Sequence, residues 1–149
     1  MEKSLVLINE AAKEGDREAQ YILGYAYKFG NDVVLMDMNK AFSLFKMAAE
    51  QGQKDAQYEV GTAYEQGWGD AIMNIKEALK WYQLAAEQGQ SDAQYKIGVF
   101  YEFGWGGNPK NYKEALKWYQ LAAEQGQKDA QRSIQTLHWK KGNGLIDLD

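Results

Sequence analysis

Apolar residues recur along the chain at the spacing of amphipathic helices. Ala56, Val60 and Tyr64 follow one another every four residues, which places them on one face of a helix. Gly67 comes directly after this stretch, where a glycine commonly ends a helix in the left-handed conformation. The pattern predicts a first helix, helix A, over residues 55–66.

A second helix, helix B, is predicted to begin at Asn74 and to end before Gly89. Asn74 is followed three residues later by Glu77, the arrangement of a capping box at a helix N-terminus. Leu79 and Tyr82 then continue an apolar face at helical spacing. The same pattern recurs over residues 37–52 and 111–126.

The helix pair belongs to a repeat of constant length. Ala-Ala pairs begin at Ala11, Ala48, Ala85 and Ala122, each 37 residues after the last. Residues 48–84 and 85–121 share 26 of 37 positions, so internal duplication explains the pattern. We predict a single domain, residues 1–149, whose parts are a half repeat at 2–15, repeats at 11–47, 48–84 and 85–121, and a degenerate capping repeat at 122–149.

Small and large residues recur where neighbouring helices would meet. Gly24, Gly61 and Gly98 lie inside helix A, where each glycine costs about 1 kcal/mol in helix propensity. A cost met three times favours a close helix approach at those positions. By register we also expect Trp81 and Trp118 in the core.

Composition restricts the class of protein. Of the 149 residues, 45% are apolar and 26% charged, values typical of a globular chain, and a single proline favours helices. Without cysteine there is no disulfide or thiolate metal site. A net charge of −4 disfavours nucleic acid and mildly favours a basic partner surface. The short apolar run near the start is below the length of a signal or membrane segment, so we expect a cytoplasmic protein, or a periplasmic one if a signal was removed.

The motif AQYxxGxxYExGxG followed by KEALKWYxxAAEQG resembles the Sel-one-like repeat (SLR) family over roughly residues 2–141. The resemblance implies an all-α fold, a right-handed α/α superhelical solenoid of antiparallel helix pairs. It also implies an adaptor, a signalling scaffold or, in bacteria, an interaction or toxin-immunity protein.

The sequence offers little for catalysis. His138 is the one histidine, and it occupies a repeat position held elsewhere by tyrosine, which favours a packing or surface role. Glu77 and Glu114 are explained by helix capping. The glycines around Trp105 lack the strand and the Gly-Lys-Ser/Thr of a phosphate loop. We therefore predict no enzyme activity, no cofactor and no metal.

Positions that vary between repeats are candidates for binding, because packing fixes the others. On helix A the variable positions lie three and four residues apart, on one face. In this fold helix A normally lines the concave surface, which would grip a protein or peptide segment. Trp68 and Trp105 are candidates in the following turn, although each ring would also fit over the next helix B. The candidate partner-binding residues are Ile22, Tyr25, Phe29, Glu59, Thr62, Gln66, Trp68, Lys96, Val99, Phe103 and Trp105.

The leading functional hypothesis is a non-enzymatic scaffold, adaptor or regulator that binds another protein through the helix A face. The alternative is a bacterial immunity protein that neutralises a cognate toxin, and an enzyme is the third, weaker hypothesis. Nucleic acid and membrane insertion are not expected as partners, and weak self-association through the solenoid ends is allowed. The role of the tail, residues 142–149, is left open.

Overall fold

A computed structural model describes residues 2–149, with side chains from Ser4 onward. Helices account for the regular structure of these residues. In chain order they are α1 (Glu2–Lys13), α2 (Arg17–Phe29), α3 (Met38–Glu50), α4 (Lys54–Gln66), α5 (Ile75–Glu87), α6 (Ser91–Phe103), α7 (Tyr112–Glu124) and α8 (Lys128–Gly142). The prediction of an all-α repeat solenoid is confirmed, with α2, α4, α6 and α8 as helix A and the others as helix B.

The residues pack into two compact units, one ending at Trp81 and one running from Tyr82 to Asp149. In the first unit, the helix B residues Phe42 and Phe45 form a core with Ala56, Val60 and Ala63 of helix A. A smaller cluster joins α1 to α2. The prediction of one domain with breaks at the Ala-Ala pairs stays a prediction.

In the second unit, Tyr119 and Ala115 of α7 pack with Leu137 of α8. The tail belongs to this core, since Leu148 is buried in the same cluster and Ile146 packs against it. The tail therefore covers α8 instead of extending away from it.

Close approach of helix A to helix B depends on the glycines that the sequence singled out. A Cβ on Gly24 would lie 2.9 Å from Cδ1 of Phe45, and one on Gly98 would lie 2.5 Å from two ring carbons of Tyr119. Both rings are fully buried. The glycine in helix A thus makes room for an aromatic ring of helix B.

One half of each predicted capping box is confirmed. The Oδ1 atoms of Asn74 and Asn111 accept hydrogen bonds from the N–H groups of Glu77 and Glu114, both at 3.0 Å. The reciprocal half of the capping box is wrong, because the backbone N–H of Asn74 donates to the carbonyl of Tyr64 and not to Glu77. Each glutamate lies instead near a lysine one turn later in its own helix.

Glutamine makes two repeated contacts that the sequence analysis missed. Gln53, the residue before α4, caps that helix by accepting from the N–H of Ala56 at 2.6 Å. Gln57, inside α4, donates from Nε2 to the carbonyl of Ala49 in α3 at 3.3 Å. The same two contacts recur elsewhere, so the glutamines of the GQ and AQY motifs satisfy backbone groups at the turn between repeats.

The prediction that Trp81 and Trp118 lie in the core holds in part, because Trp81 packs against the core of the first unit without being fully buried. Both are half-buried, whereas the next residues, Tyr82 and Tyr119, are fully buried. The tyrosines share the register of Phe45, the residue whose ring faces the helix A glycine.

We predict that Gly98→Ala destabilises the protein even though alanine favours helix by about 1 kcal/mol. The new methyl group would collide with the buried Tyr119 ring, and overpacking of this kind costs about 1–3 kcal/mol. Urea unfolding followed by circular dichroism should show a net loss of unfolding free energy.

Gly142→Ala is the matched control, because Gly142 has nothing within 4 Å of an added Cβ. It should leave stability unchanged or slightly raise it. A neutral or stabilising Gly98→Ala would contradict the tight glycine and ring contact.

Candidate partner-binding surfaces

An exposed aromatic stripe follows α2. Its members are Tyr21, Tyr25 and Phe29, with ring centroids 6.1 Å apart between the tyrosines and 4.8 Å apart between Tyr25 and Phe29. Tyr25 is 46% exposed and Phe29 59%. Ile22, on the same helix, is also exposed. The three α2 candidates from the sequence are therefore all at the surface.

The α4 candidates behave differently. Glu59 is buried, and its Oε2 lies 2.7 Å from Nζ of Lys28, an ion pair between two helix A elements. Thr62 is also buried and donates its hydroxyl to the carbonyl of Glu59. Only Gln66, at the end of α4, is exposed. The repeat position of Glu59 thus differs between repeats because in this unit the glutamate forms a contact between two helices.

Trp68 packs inward, but not on the helix expected. It is half-buried, and its indole meets Phe42 and Phe45 edge-on, with centroids 6.4 and 6.3 Å apart. Both rings belong to α3, the helix B that precedes Trp68 in sequence. Nζ of Lys28 lies 5.6 Å from the indole ring centre, so the same lysine contacts Glu59 and Trp68.

In the second unit the exposed aromatics include Phe103 and Trp105 and, on α8, Trp139. The rings of Phe103 and Trp105 stack with centroids 5.5 Å apart at an angle of 28°, and Trp105 also meets Phe100 edge-on. Phe103 is 50% exposed and Trp105 45%. Lys96 and Val99, the other candidates on α6, are half-buried.

Acidic side chains lie near Tyr21, the half-buried member of the aromatic stripe on α2. Burial raises the pKa of Tyr21 to about 12, and the carboxylates of Asp55 and Glu59 add to the shift. Tyr95, which stands two repeats later at the same position, has its pKa raised first by burial and then by Asp129.

A second buried carboxylate, Glu102, belongs to the core of the second unit. Its Oε1 accepts a hydrogen bond from the Tyr119 hydroxyl at 2.6 Å, and Nζ of Lys140 lies 4.0 Å from Oε2. Burial and this bond raise the pKa of Tyr119 above its usual range. The carboxylate is thus held by contacts with α7 and α8.

The sequence analysis missed an exposed apolar pair in the A-to-B connectors. Leu35 and Ile72 stand at the same repeat position and are 87% and 85% exposed, and Met36 and Met73 follow them. Apolar side chains in an exposed connector do not serve the core. The sequence could have indicated this pair, because the two apolar residues occur at the same position of successive repeats.

The described residues contain neither a metal site nor a membrane-spanning helix. No group of histidine, cysteine or carboxylate side chains is arranged there to hold a metal. Within the same residues, none of the helices combines the length and the apolarity needed to cross a membrane. His138 lies at the surface of α8.

We predict that Tyr119→Phe lowers the unfolding free energy by about 1.5–3 kcal/mol, because a buried hydrogen bond to a charged carboxylate is lost. Tyr112→Phe, on the same helix, is the control and should change stability by no more than about 0.5 kcal/mol.

The pH dependence has a defined sign. Because the pKa of Tyr119 is raised in the folded protein, its contribution is present below about pH 10, where unfolded tyrosine ionises, and is lost as the pH rises further. The stability of the wild type should therefore fall more steeply above pH 10 than that of Tyr119→Phe. Parallel alkaline unfolding curves would contradict the contact.

Comparisons with known proteins give the family. The Sel1 repeat model matches residues 17–53, 54–90 and 91–127, and each match begins at the first residue of α2, α4 or α6. A search of curated proteins finds no match.

The solved structures that are similar to this chain include three proteins. One is c5321, a protective antigen with an SLR fold from uropathogenic Escherichia coli (TM-score 0.83, 36% identity, covering 92% of this chain and 29% of that one). Another is a Sel1 repeat protein from Oxalobacter formigenes (TM-score 0.78, 35% identity, covering 98% and 63%). Cysteine rich protein B of Helicobacter pylori shares the fold (TM-score 0.63, 22% identity, covering 87% and 90%).

The chain thus spans less than two thirds of the length of the first two proteins. The three contiguous matches cover most of it, in register with its helices. The chain belongs to the Sel1 repeat family.

Proposed function

We propose that the chain is a non-enzymatic scaffold that binds a partner protein through exposed aromatic side chains of its helix A elements. Sel1 repeat proteins typically act through protein–protein interaction, which supports this class of function. The observation that carries the proposal is the exposure of Phe29 and Phe103. These residues occupy the same position two repeats apart, and each contacts a second exposed aromatic residue.

Core packing does not explain these side chains. The cores of the two units are filled by other rings, among them Phe45 and Tyr119, which are fully buried. Large aromatics at protein surfaces are enriched where partners bind, since they bring much apolar area with few rotatable bonds.

The chemistry of the partner follows from the surroundings of the stripe. Acidic side chains lie near Tyr21 and the chain has a net charge of −4. We therefore infer a partner segment that combines apolar side chains with lysine or arginine.

Glu59, Thr62 and Trp68 take no direct part in this proposal because they pack within the first unit. Gln66, Lys96 and Val99 flank the aromatic residues and would tune specificity. An immunity protein would use the same surface, with a toxin as its partner.

The test compares variants in affinity capture from cells that express the protein, with quantitative mass spectrometry of what is recovered. Tyr25→Ala/Phe29→Ala and Phe103→Ala/Trp105→Ala should each reduce a stoichiometric partner more than about tenfold, because each pair removes central aromatic anchors. Far-ultraviolet circular dichroism should be unchanged.

Leu35→Ala/Ile72→Ala is the control, since it removes two apolar side chains that are even more exposed and lie outside helix A. It should retain the partner. Equal recovery by all variants, or loss only in the control, would contradict the helix A assignment. A recovered toxin whose activity the chain suppresses would narrow the function to immunity.

A further inference from the structure

A second candidate surface lies at the first helix pair and does not involve the aromatic stripe. Between α1 and α2 there is an open, mainly apolar cavity of about 190 Å³. Its lining includes Ser4 and Ile8 of α1 and Ile22 and Ala26 of α2. Cavities of roughly 150 Å³ with apolar walls hold a benzene-sized group, so this one has room for a large side chain.

The repeat shows what fills the corresponding space one unit later. Positions 4, 8, 22 and 26 correspond to Ala41, Phe45, Glu59 and Ala63, each 37 residues on. All four of these later residues are buried. By contrast, Ser4 and Ile22 are exposed, and Ile8 and Ala26 are half-buried.

Helix α2 is the element that covers the later positions. Gly24 packs on the ring of Phe45 and near the carbonyl of Ala41, and Lys28 forms its ion pair with Glu59. Gly24 and Lys28 are four residues apart and lie on one face of α2. The cavity beside α1 is therefore shaped like the seat of a further helix of the helix A type.

One position that lines the cavity differs in chemistry from the equivalent position of the next repeat. Where the later repeat has Glu59 to pair with Lys28, the cavity has Ile22. A lysine buried against Ile22 would lose water without gaining a carboxylate. An incoming helix must therefore carry an apolar residue at the position of Lys28.

We propose that this cavity binds an amphipathic helix of a partner protein. The helix carries glycine or alanine opposite Ile8 and, four residues later, a large apolar residue opposite Ile22. It lies on α1 and α2 as α2 lies on α3 and α4, which extends an interface already present in the fold.

A second folded copy of this chain does not supply such a helix. Gly24 and Gly98 are already covered by Phe45 and Tyr119, and Gly61 is buried. The corresponding residue of α8 is Gln135, which is too large for close approach. A second folded copy is therefore not the expected occupant.

Peptides based on residues 16–30 test the proposal, since they carry the helix A pattern. The peptides are cross-linked on the face that points away from the cavity, because isolated helices of this length are only marginally stable in water. Fluorescence anisotropy with the full chain compares three: the parent sequence, a Lys28→Leu peptide, and a Gly24→Leu/Lys28→Leu peptide. We expect the Lys28→Leu peptide to bind at least about tenfold more tightly than either other peptide.

The decisive variant of the protein is Ile22→Glu, which installs the residue found at position 59. It should reverse the preference, so that the parent peptide with its lysine binds better than the Lys28→Leu peptide. Tyr25→Ala/Phe29→Ala should leave peptide binding unchanged, which separates this surface from the aromatic stripe.

Three results would overturn the proposal. They are no binding of any peptide at millimolar concentration, the same order of affinities in the wild type and Ile22→Glu, and a concentration-dependent dimer in sedimentation that Ile22→Glu abolishes. The last would assign the surface to a second copy.

Discussion

The fold depends on the contact between a glycine in helix A and an aromatic ring in helix B. At Gly24 and Gly98 the helices approach until a single added methyl group would collide with Phe45 or Tyr119. The ring fills the space that the missing side chain leaves, and the buried area offsets the weak helix propensity of glycine. This contact sets the spacing of the helices within each pair.

On the face of helix A that points away from the core, several large apolar side chains remain exposed. In the first unit they include Ile22, Tyr25 and Phe29, and in the second Phe103, followed by Trp105. The cavity between α1 and α2 is lined by Ser4, Ile8, Ile22 and Ala26, whose equivalents one repeat later are buried. The surfaces that we propose for binding are therefore the places where large apolar side chains are not used in the packing of the repeats.

The sequence predicted the helices, their order, the glycine contacts and the asparagine caps of α5 and α7, because these depend on neighbours within a few residues or on the 37-residue period. It did not predict the burial of Glu59, whose partner Lys28 is 31 residues away on another helix. It also missed the capping by Gln53, which lies outside the usual set of N-cap residues. The sequence thus predicted which helix A positions vary between repeats. Only the structure shows which of these residues are exposed and which are packed inside the unit.

The most direct measurement is hydrogen exchange by mass spectrometry on the free chain and on the chain isolated with its bound partner. Our account predicts that the partner slows exchange in the last turns of α2 and in the segment from Val99 to Gly106, with little change in α3 and α7. Protection confined to α3 and α7, or spread evenly over all helices, would contradict a scaffold that binds through helix A.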